Sequence, residues 1–219
     1  MRAMAAPPRP EIPRLSDLQL TLETPNLKLR PIIEVGSAKA EADIDAIWPV
    51  VSDASFPKFM SWAAHTDRDE TRSFMRGQAR ELAENTGVAW MIEREGRAAG
   101  CISFDSIEWQ LRALRVDRTE LGYWIAPALW GKGFMTEAAT AVVRYGFETM
   151  GLHKITTRCF AENHGSRRVI EKVGFRFVGR HEDDVFRDGK WSTQLGYELT
   201  APEWPDVHTT MRVNRPRPT

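Results

Sequence analysis

The stretch ELGYWIAPALWGKGFMTEA, Glu120–Ala138, decides the fold. Its first part reads as a strand: Leu121, Tyr123 and Ile125 alternate with Gly122, Trp124 and Ala126, a period of two built from β-formers. Pro127 ends it. Trp130-Gly131-Lys132-Gly133-Phe134-Met135-Thr136 follows, and then Ala138, Ala139, Val142, Val143 and Tyr145 through Phe147 recur at helical spacing. The unit is strand, glycine-bearing loop, helix. Glycines at a helix start leave backbone N–H groups free to point at an anion, and the helix dipole favours negative charge there. A phosphate is the expected anion, and an ordinary βα turn that uses glycine for geometry alone is the alternative. A P-loop needs Ser or Thr after Gly-Lys, where Gly133 stands. The dinucleotide fingerprint needs a third glycine where Thr136 stands.

Downstream lies Asn163-His164-Gly165-Ser166-Arg167-Arg168-Val169-Ile170-Glu171-Lys172-Val173-Gly174-Phe175. It reads as a short helix with Val169, Ile170 and Val173 inward, Gly174 at its end, and Asn163 or Ser166 as N-cap. The two motifs, in this order and separation, resemble the GNAT superfamily of N-acetyltransferases. That family's acetyl-CoA loop reads Arg/Gln-x-x-Gly-x-Gly/Ala, and its slots fall here on Trp130 through Met135. Trp130 stands for Arg/Gln and Met135 for the small residue. Trp130, then Gly-Lys-Gly-aromatic, then Thr-Glu-Ala, is similar to the RimJ/RimL branch, which acetylates protein N-terminal alanines. The resemblance covers roughly Leu18 to Leu199.

The resemblance implies an α/β (α+β) fold: a mixed, mostly antiparallel sheet of about seven strands, flanked by helices, with a splayed central strand pair. It implies acetyl-CoA as co-substrate, with its pyrophosphate on Trp130, Gly131, Lys132, Gly133, Phe134, Met135 and Thr136. Pantetheine and the oxyanion would meet backbone around Trp124 and Ile125, and Asn163 and Ser166 would lie near the pantetheine and the thiol. Transfer to the amine would be direct. Glu120, at the head of the strand, is the candidate base; the alternative is a strand-edge charge paired with Arg115 or Arg118. Ser166 is the candidate hydrogen-bond or proton donor to the departing sulfur. Tyr123 falls on the opposite strand face from Glu120, so both would reach one site only across a bulge.

The rest of the chain sets bounds. Of 219 residues, 30 are Lys or Arg and 30 are Asp or Glu, so a net charge of zero gives no electrostatic footprint for nucleic acid or an anionic membrane. No apolar run is long enough to span a bilayer. Cys101 and Cys159 each lie in an apolar strand-like run and read as core thiols of a reducing, cytoplasmic compartment. His65, His153, His164, His181 and His208 lack metal-like spacing, and no metal is expected. The expected division is a disordered tail over residues 1–14, one domain over 15–204, and a C-terminal tail over 205–219. Within the domain the expected elements begin with a first strand over Leu18–Ile33, bent at Pro25-Asn26, and a helix over Ala38–Val51. A second helix, capped by Thr66, runs to about Asn85. A hairpin turns at Glu95-Gly96, and a last hairpin turns at Asp188-Gly189. Glu182-Asp183-Asp184 is a solvated face or a holder for a cationic substrate. Phe56, Phe59, Trp62 and Trp109 line a groove or fill the core.

Three functions fit: acetyl transfer to a peptide or protein N-terminal α-amine, acetyl transfer to a small-molecule amine or amino acid, or a non-catalytic acyl-CoA-binding module. A monomer or homodimer that meets an amine-bearing substrate is expected.

Overall fold

The computed structural model describes residues 11–33, 35–187 and 189–205. Of the tails expected over 1–14 and 205–219, residues 1–10 and 206–219 lie outside these residues, as does Asp188 of the last turn. The described chain is in contact with the core before Leu15: Ile12 packs against it, and the Pro13 carbonyl accepts from Asn85.

Among the described residues eight strands form one sheet. They are β1 (Leu22–Glu23), β2 (Lys28–Pro31), β3 (Val88–Arg94), β4 (Arg97–Leu111), β5 (Leu114–Ile125), β6 (Lys154–Phe160), β7 (Arg176–Arg187) and β8 (Lys190–Thr200). Their order is β1-β2-β3-β4-β5-β6-β8-β7, and every pair is antiparallel except β5 with β6. The eighth strand arises because the turn at Pro25-Asn26 divides the expected first strand into β1 and β2. That turn is fastened from outside: the Glu137 carboxylate accepts from the Asn26 backbone and side chain, both at 2.9 Å.

Among the described residues four α-helices cover the sheet: α1 (Ala38–Val51), α2 (Arg68–Ala83), α3 (Phe134–Glu148) and α4 (His164–Val173). The cap of α2 corrects the expectation at Thr66. Asp67 is the N-cap, accepting from the Asp69 N–H, while Thr66 instead donates its N–H and hydroxyl to Glu70. Asp and Thr are both good caps, and here the carboxylate one residue on reaches the first orphan donors.

Each sheet face has its own core. Trp90, Ile102, Phe104, Leu121 and Ile155 pack with Val142 and Val143 of α3 and Ile170 of α4. On the other face Ala89, Met91, Cys101 and Trp124 pack with Ile44 and Ile47 of α1 and Met75 of α2. Both faces of β3 are covered, so its residues read as a continuous apolar run. The register of β4 on β5 runs unbroken from Gly100 opposite Ile125 to Asp105 opposite Glu120. Between those points side chains alternate strictly, so the odd-numbered residues of β5 face α3 and α4, and the even-numbered ones face α1 and α2.

Candidate active site

β5 and β6 pair over only three positions, Arg118–Lys154, Thr119–Ile155 and Glu120–Thr156. Beyond Glu120 the strands separate, although β5 continues to Ile125 and β6 to Phe160. The gap therefore opens well before Ile125, where the splay was expected. Thr157 marks its start, because its hydroxyl donates to the Leu121 carbonyl at 2.9 Å in place of a ladder bond. A strand residue sends its N–H and C=O to the same side, and successive residues to opposite sides. The Leu121 carbonyl faces β6, so the backbone groups of Tyr123 and Ile125 face the gap. Those of Gly122 and Trp124 face β4, and the Trp124 carbonyl lies against Gly100. The expectation for Trp124 is thereby corrected by one residue: Tyr123, not Trp124, turns its backbone to the gap beside Ile125. The Trp124 side chain is buried and packs edge-on against Phe56 and Trp62. The Ile125 carbonyl already accepts from the Trp130 indole at 2.8 Å, which leaves the N–H as its free group.

The loop after β5 leads into α3. Gly131 and Gly133 both have left-handed backbone, φ +72° and +85°, and an added Cβ at either would meet nothing within 4 Å. Gly133 is the N-cap and offers no side-chain bond to the first turn. The first helical bond runs from Glu137 N–H to the Gly133 carbonyl. No N–H from Gly131 through Thr136 donates to another group among the described residues. Such an array of orphan donors at a helix start is an anion cradle. Met135 turns its side chain into the core, away from this cradle. Lys132 folds back to the Ala128 carbonyl at 2.8 Å, and Trp130 lies over Phe56 with ring centroids 6.3 Å apart. Arg94, the last residue of β3, sits 4.7 Å over the Phe134 ring.

On the α3/α4 side of the gap, the Tyr123 and Ser166 hydroxyls are 2.9 Å apart, and Tyr123 also reaches the Ser166 carbonyl at 3.2 Å. Burial pushes the Tyr123 phenol pKa up, against the pull of its Ser166 hydrogen bond. Asn163 is the α4 cap, accepting from the Ser166 N–H at 3.0 Å, which frees the Ser166 hydroxyl for Tyr123. Cys159 of β6 shares this side, and burial raises its thiol to about 11.

The other side carries Glu120, which is exposed. It makes none of the expected ion pairs: Arg118 binds Glu108 at 2.7 Å, and Arg115 binds Asp117. Its cross-strand neighbour is Asp105, which Gly122 makes room for; a Cβ there would lie 2.8 Å from Asp105 Oδ2. Further along this face Phe160 packs against Phe59 with the rings tilted and their centroids 5.9 Å apart. A cleft of about 230 Å³ opens between Lys58–Phe59, the end of β6, and Arg180, Arg187 and Lys190–Thr193 of the last hairpin. Arg187 bridges its rim by donating to the carbonyls of Met60 and Trp62. The acidic run is neutralised internally, with Glu182 on Arg180 and Thr193, and Asp184 on Arg158. Phe56 and Trp109 are core, whereas Phe59 and Trp62 are half-buried beside the cleft.

Tyr123 and Glu120 thus point to opposite faces with no bulge between them, and it is the open gap that connects the two. Sequence reasoning missed Asp105, Arg94 and the hairpin side of the cleft. Only Asp105 left a signal, as a carboxylate at an inward position of an apolar strand. Among the described residues no group of three or more His, Cys, Asp or Glu could hold a metal, and no helix is long and apolar enough to cross a membrane.

A mixed sheet split between two parallel strands, with an anion cradle at the mouth of the split, can seat an anionic ligand whose far end enters the gap. The chain belongs to the GNAT acetyltransferase family: residues 37–176 match the domain described as "Acetyltransferase (GNAT) domain". Its relatives are N-acetyltransferases. YoaA of Bacillus subtilis, an uncharacterized N-acetyltransferase, is 29% identical over 183 residues, 83% of this chain and 97% of that protein. The ribosomal protein uS5-alanine N-acetyltransferase of Escherichia coli is 36% identical over 84 residues, 38% of this chain and 43% of that protein. Mycobacterium smegmatis RimJ, solved in complex with CoA-disulfide, superposes with a TM-score of 0.72 at 24% identity, covering 86% of this chain and 90% of that one.

Proposed function

We propose that the protein transfers an acetyl group from acetyl-CoA directly to the α-amine of a peptide or protein N-terminus. The observation that carries this reading is the gap itself, with the Tyr123–Ser166 hydroxyl pair on one side and the Glu120 carboxylate on the other. The free N–H groups from Gly131 to Thr136 fit a pyrophosphate. The N–H groups of Tyr123 and Ile125 fit pantetheine and the oxyanion that develops during transfer. Glu120 takes the proton from the amine, directly or through a water, and the Tyr123–Ser166 pair donates to the departing sulfur. The uS5-alanine relative supports a small N-terminal residue as acceptor.

The chemistry of the base supports an α-amine. Its unperturbed pKa is about 7.7–8.0, against about 10.4 for a lysine side chain. Near neutral pH a fair share of α-amine is already uncharged, so a carboxylate base suffices. Glu120→Gln is expected to lower kcat about 10²-fold, the low end of general-base help, and to leave acetyl-CoA binding intact. The measurement is mass spectrometry and thiol release with a peptide beginning in alanine, the same peptide N-blocked with one lysine, and a panel of free amines. Equal rates for Glu120→Gln and the parent at pH 7, or a preference for the lysine peptide, overturn the proposal.

A further inference from the structure

Asp105 and Glu120 stand directly opposite each other across β4 and β5, on the face that looks toward α1 and α2. Side chains so placed have Cβ atoms about 4.5–5.5 Å apart, and like charges there repel. A fold ordinarily relieves such repulsion with a cation. Here neither carboxylate has an ion pair among the described residues, and the cations on the same face are engaged elsewhere: Arg118 with Glu108, Lys154 with Glu198, Arg158 with Asp184. The other ionisable group that bears on Asp105 is again a carboxylate, Glu81 of α2, itself held above the ordinary range by burial. Glu81 feels Arg80 and Glu84 in turn. Gly122 clears the space that Asp105 occupies, with the Ser103 hydroxyl beside it. Burial first, then Glu81 and Glu120, raise the Asp105 carboxyl to about 6, against the pull of the Ser103 hydroxyl.

We infer that Asp105 and Glu120 work as one base, sharing a single proton, with Asp105 a positioning residue that acts through Glu120. This rests on the acetyl-transfer reading above. In the reaction the amine nitrogen bonds to the acetyl carbon, and the carbon–sulfur bond breaks with its electron pair going to sulfur. The amine's proton goes to Glu120, where the Asp105 carboxylate accepts a hydrogen bond from it. Taking up that proton relieves the like-charge repulsion between the two facing carboxylates, which favours the transfer. The proton then lies between the two carboxylates rather than on one alone.

Two measurements test this. The first needs no acceptor: ¹³C carboxyl NMR titration of the full-length chain, parent and Glu120→Gln. The Asp105 carboxyl is expected to titrate near pH 6 in the parent and at least half a pH unit lower once Glu120 is neutral. Glu120 is exposed, so this variant is expected to fold. An Asp105 midpoint unmoved by Glu120→Gln overturns the inference. The second is the pH profile of kcat/KM with the alanine-leading peptide. Asp105→Asn is expected to shift the acid limb to lower pH and lower the plateau about tenfold, less than outright loss of a base. A limb at the parent's position in Asp105→Asn also overturns it, because a merely structural role would change the height of the profile and not its shape. If the parent acetylates no amine at all, the acetyl-transfer reading fails, while the NMR titration still decides whether the two carboxyls are coupled.

Discussion

The Asp105 carboxyl sits at about 6, against about 3.9 for an unperturbed aspartate, and that difference is a stability statement. The folded state binds a proton there more tightly than the unfolded chain does. Above about pH 6 the ionised group therefore opposes folding in full, and below about pH 4 it is protonated in both states and contributes nothing. Asp105→Asn should accordingly stabilise the fold at pH 8, by about 1–3 kcal/mol, with the gain vanishing by about pH 4. Urea unfolding at the two pH values checks it, and an equal effect at both would refute it. A group that costs stability where it is charged is what a working site often retains. The two cysteines differ in the same local way. Cys159 borders the gap, whereas Cys101 is buried among α1 and α2 with its thiol pushed far up. The disulfide of CoA should label Cys159 alone, at a rate rising about tenfold per pH unit between 7 and 9, since the thiolate is the nucleophile. Intact-mass analysis with peptide mapping reads the outcome, and label on Cys101 would place the thiol end elsewhere. Glu120 was legible in the sequence because it opens the plainly alternating second half of β5, although that strand starts earlier, at Leu114. The pairing of Asp105 with Glu120 was not, because only the strand register puts the two opposite each other, and register depends on pairing across the β4–β5 turn.

At the scale of elements, the α1 bounds Ala38–Val51 were readable outright, since Ile44, Ile47 and Val51 hold one buried line. The loop into α3 was readable as chemistry and not as geometry. Met135 stands in a small-residue slot, and helix periodicity turns its side chain inward beside Ala138 and Ala139. The Lys132 ammonium is tied to the Ala128 carbonyl, which leaves its backbone N–H as its group at the loop. Lys132→Ala should thus change CoA affinity by less than about threefold, a surface-scale effect. Gly133→Val should weaken binding at least about tenfold, because φ +85° is closed to a β-branched residue and the cradle would have to rearrange. Calorimetry with CoA separates the two, and full affinity in Gly133→Val would contradict the cradle. The start of the gap was misplaced in the sequence reading because Thr157 acts there through a side-chain bond to a backbone carbonyl. No periodicity records such a bond.

For the whole molecule, the strand–loop–helix unit and the second motif together were enough to give the mixed sheet, its one parallel pair and the helices on it. What they left out is the arrangement of parts far apart in sequence, and the bridge from Arg187 to the carbonyls of Met60 and Trp62 is the clearest case. It joins the last hairpin to the aromatic segment between α1 and α2, more than a hundred residues earlier, on the side where Glu120 lies. A trough crossed by such a strut becomes an eyelet. A cord can be passed through an eyelet by its tip, but a loop in mid-cord must be doubled over to enter. A polypeptide offering its first residue brings one arm under the strut, and one offering an internal lysine brings two. Cutting the strut with Arg187→Ala should therefore leave the rate on the alanine-leading peptide within about threefold while raising the rate on an internal-lysine peptide, narrowing the preference between them. Competition of the two peptides in one tube, read by mass, would show it. An unchanged ratio would mean that the choice between tip and loop is made deeper in the gap.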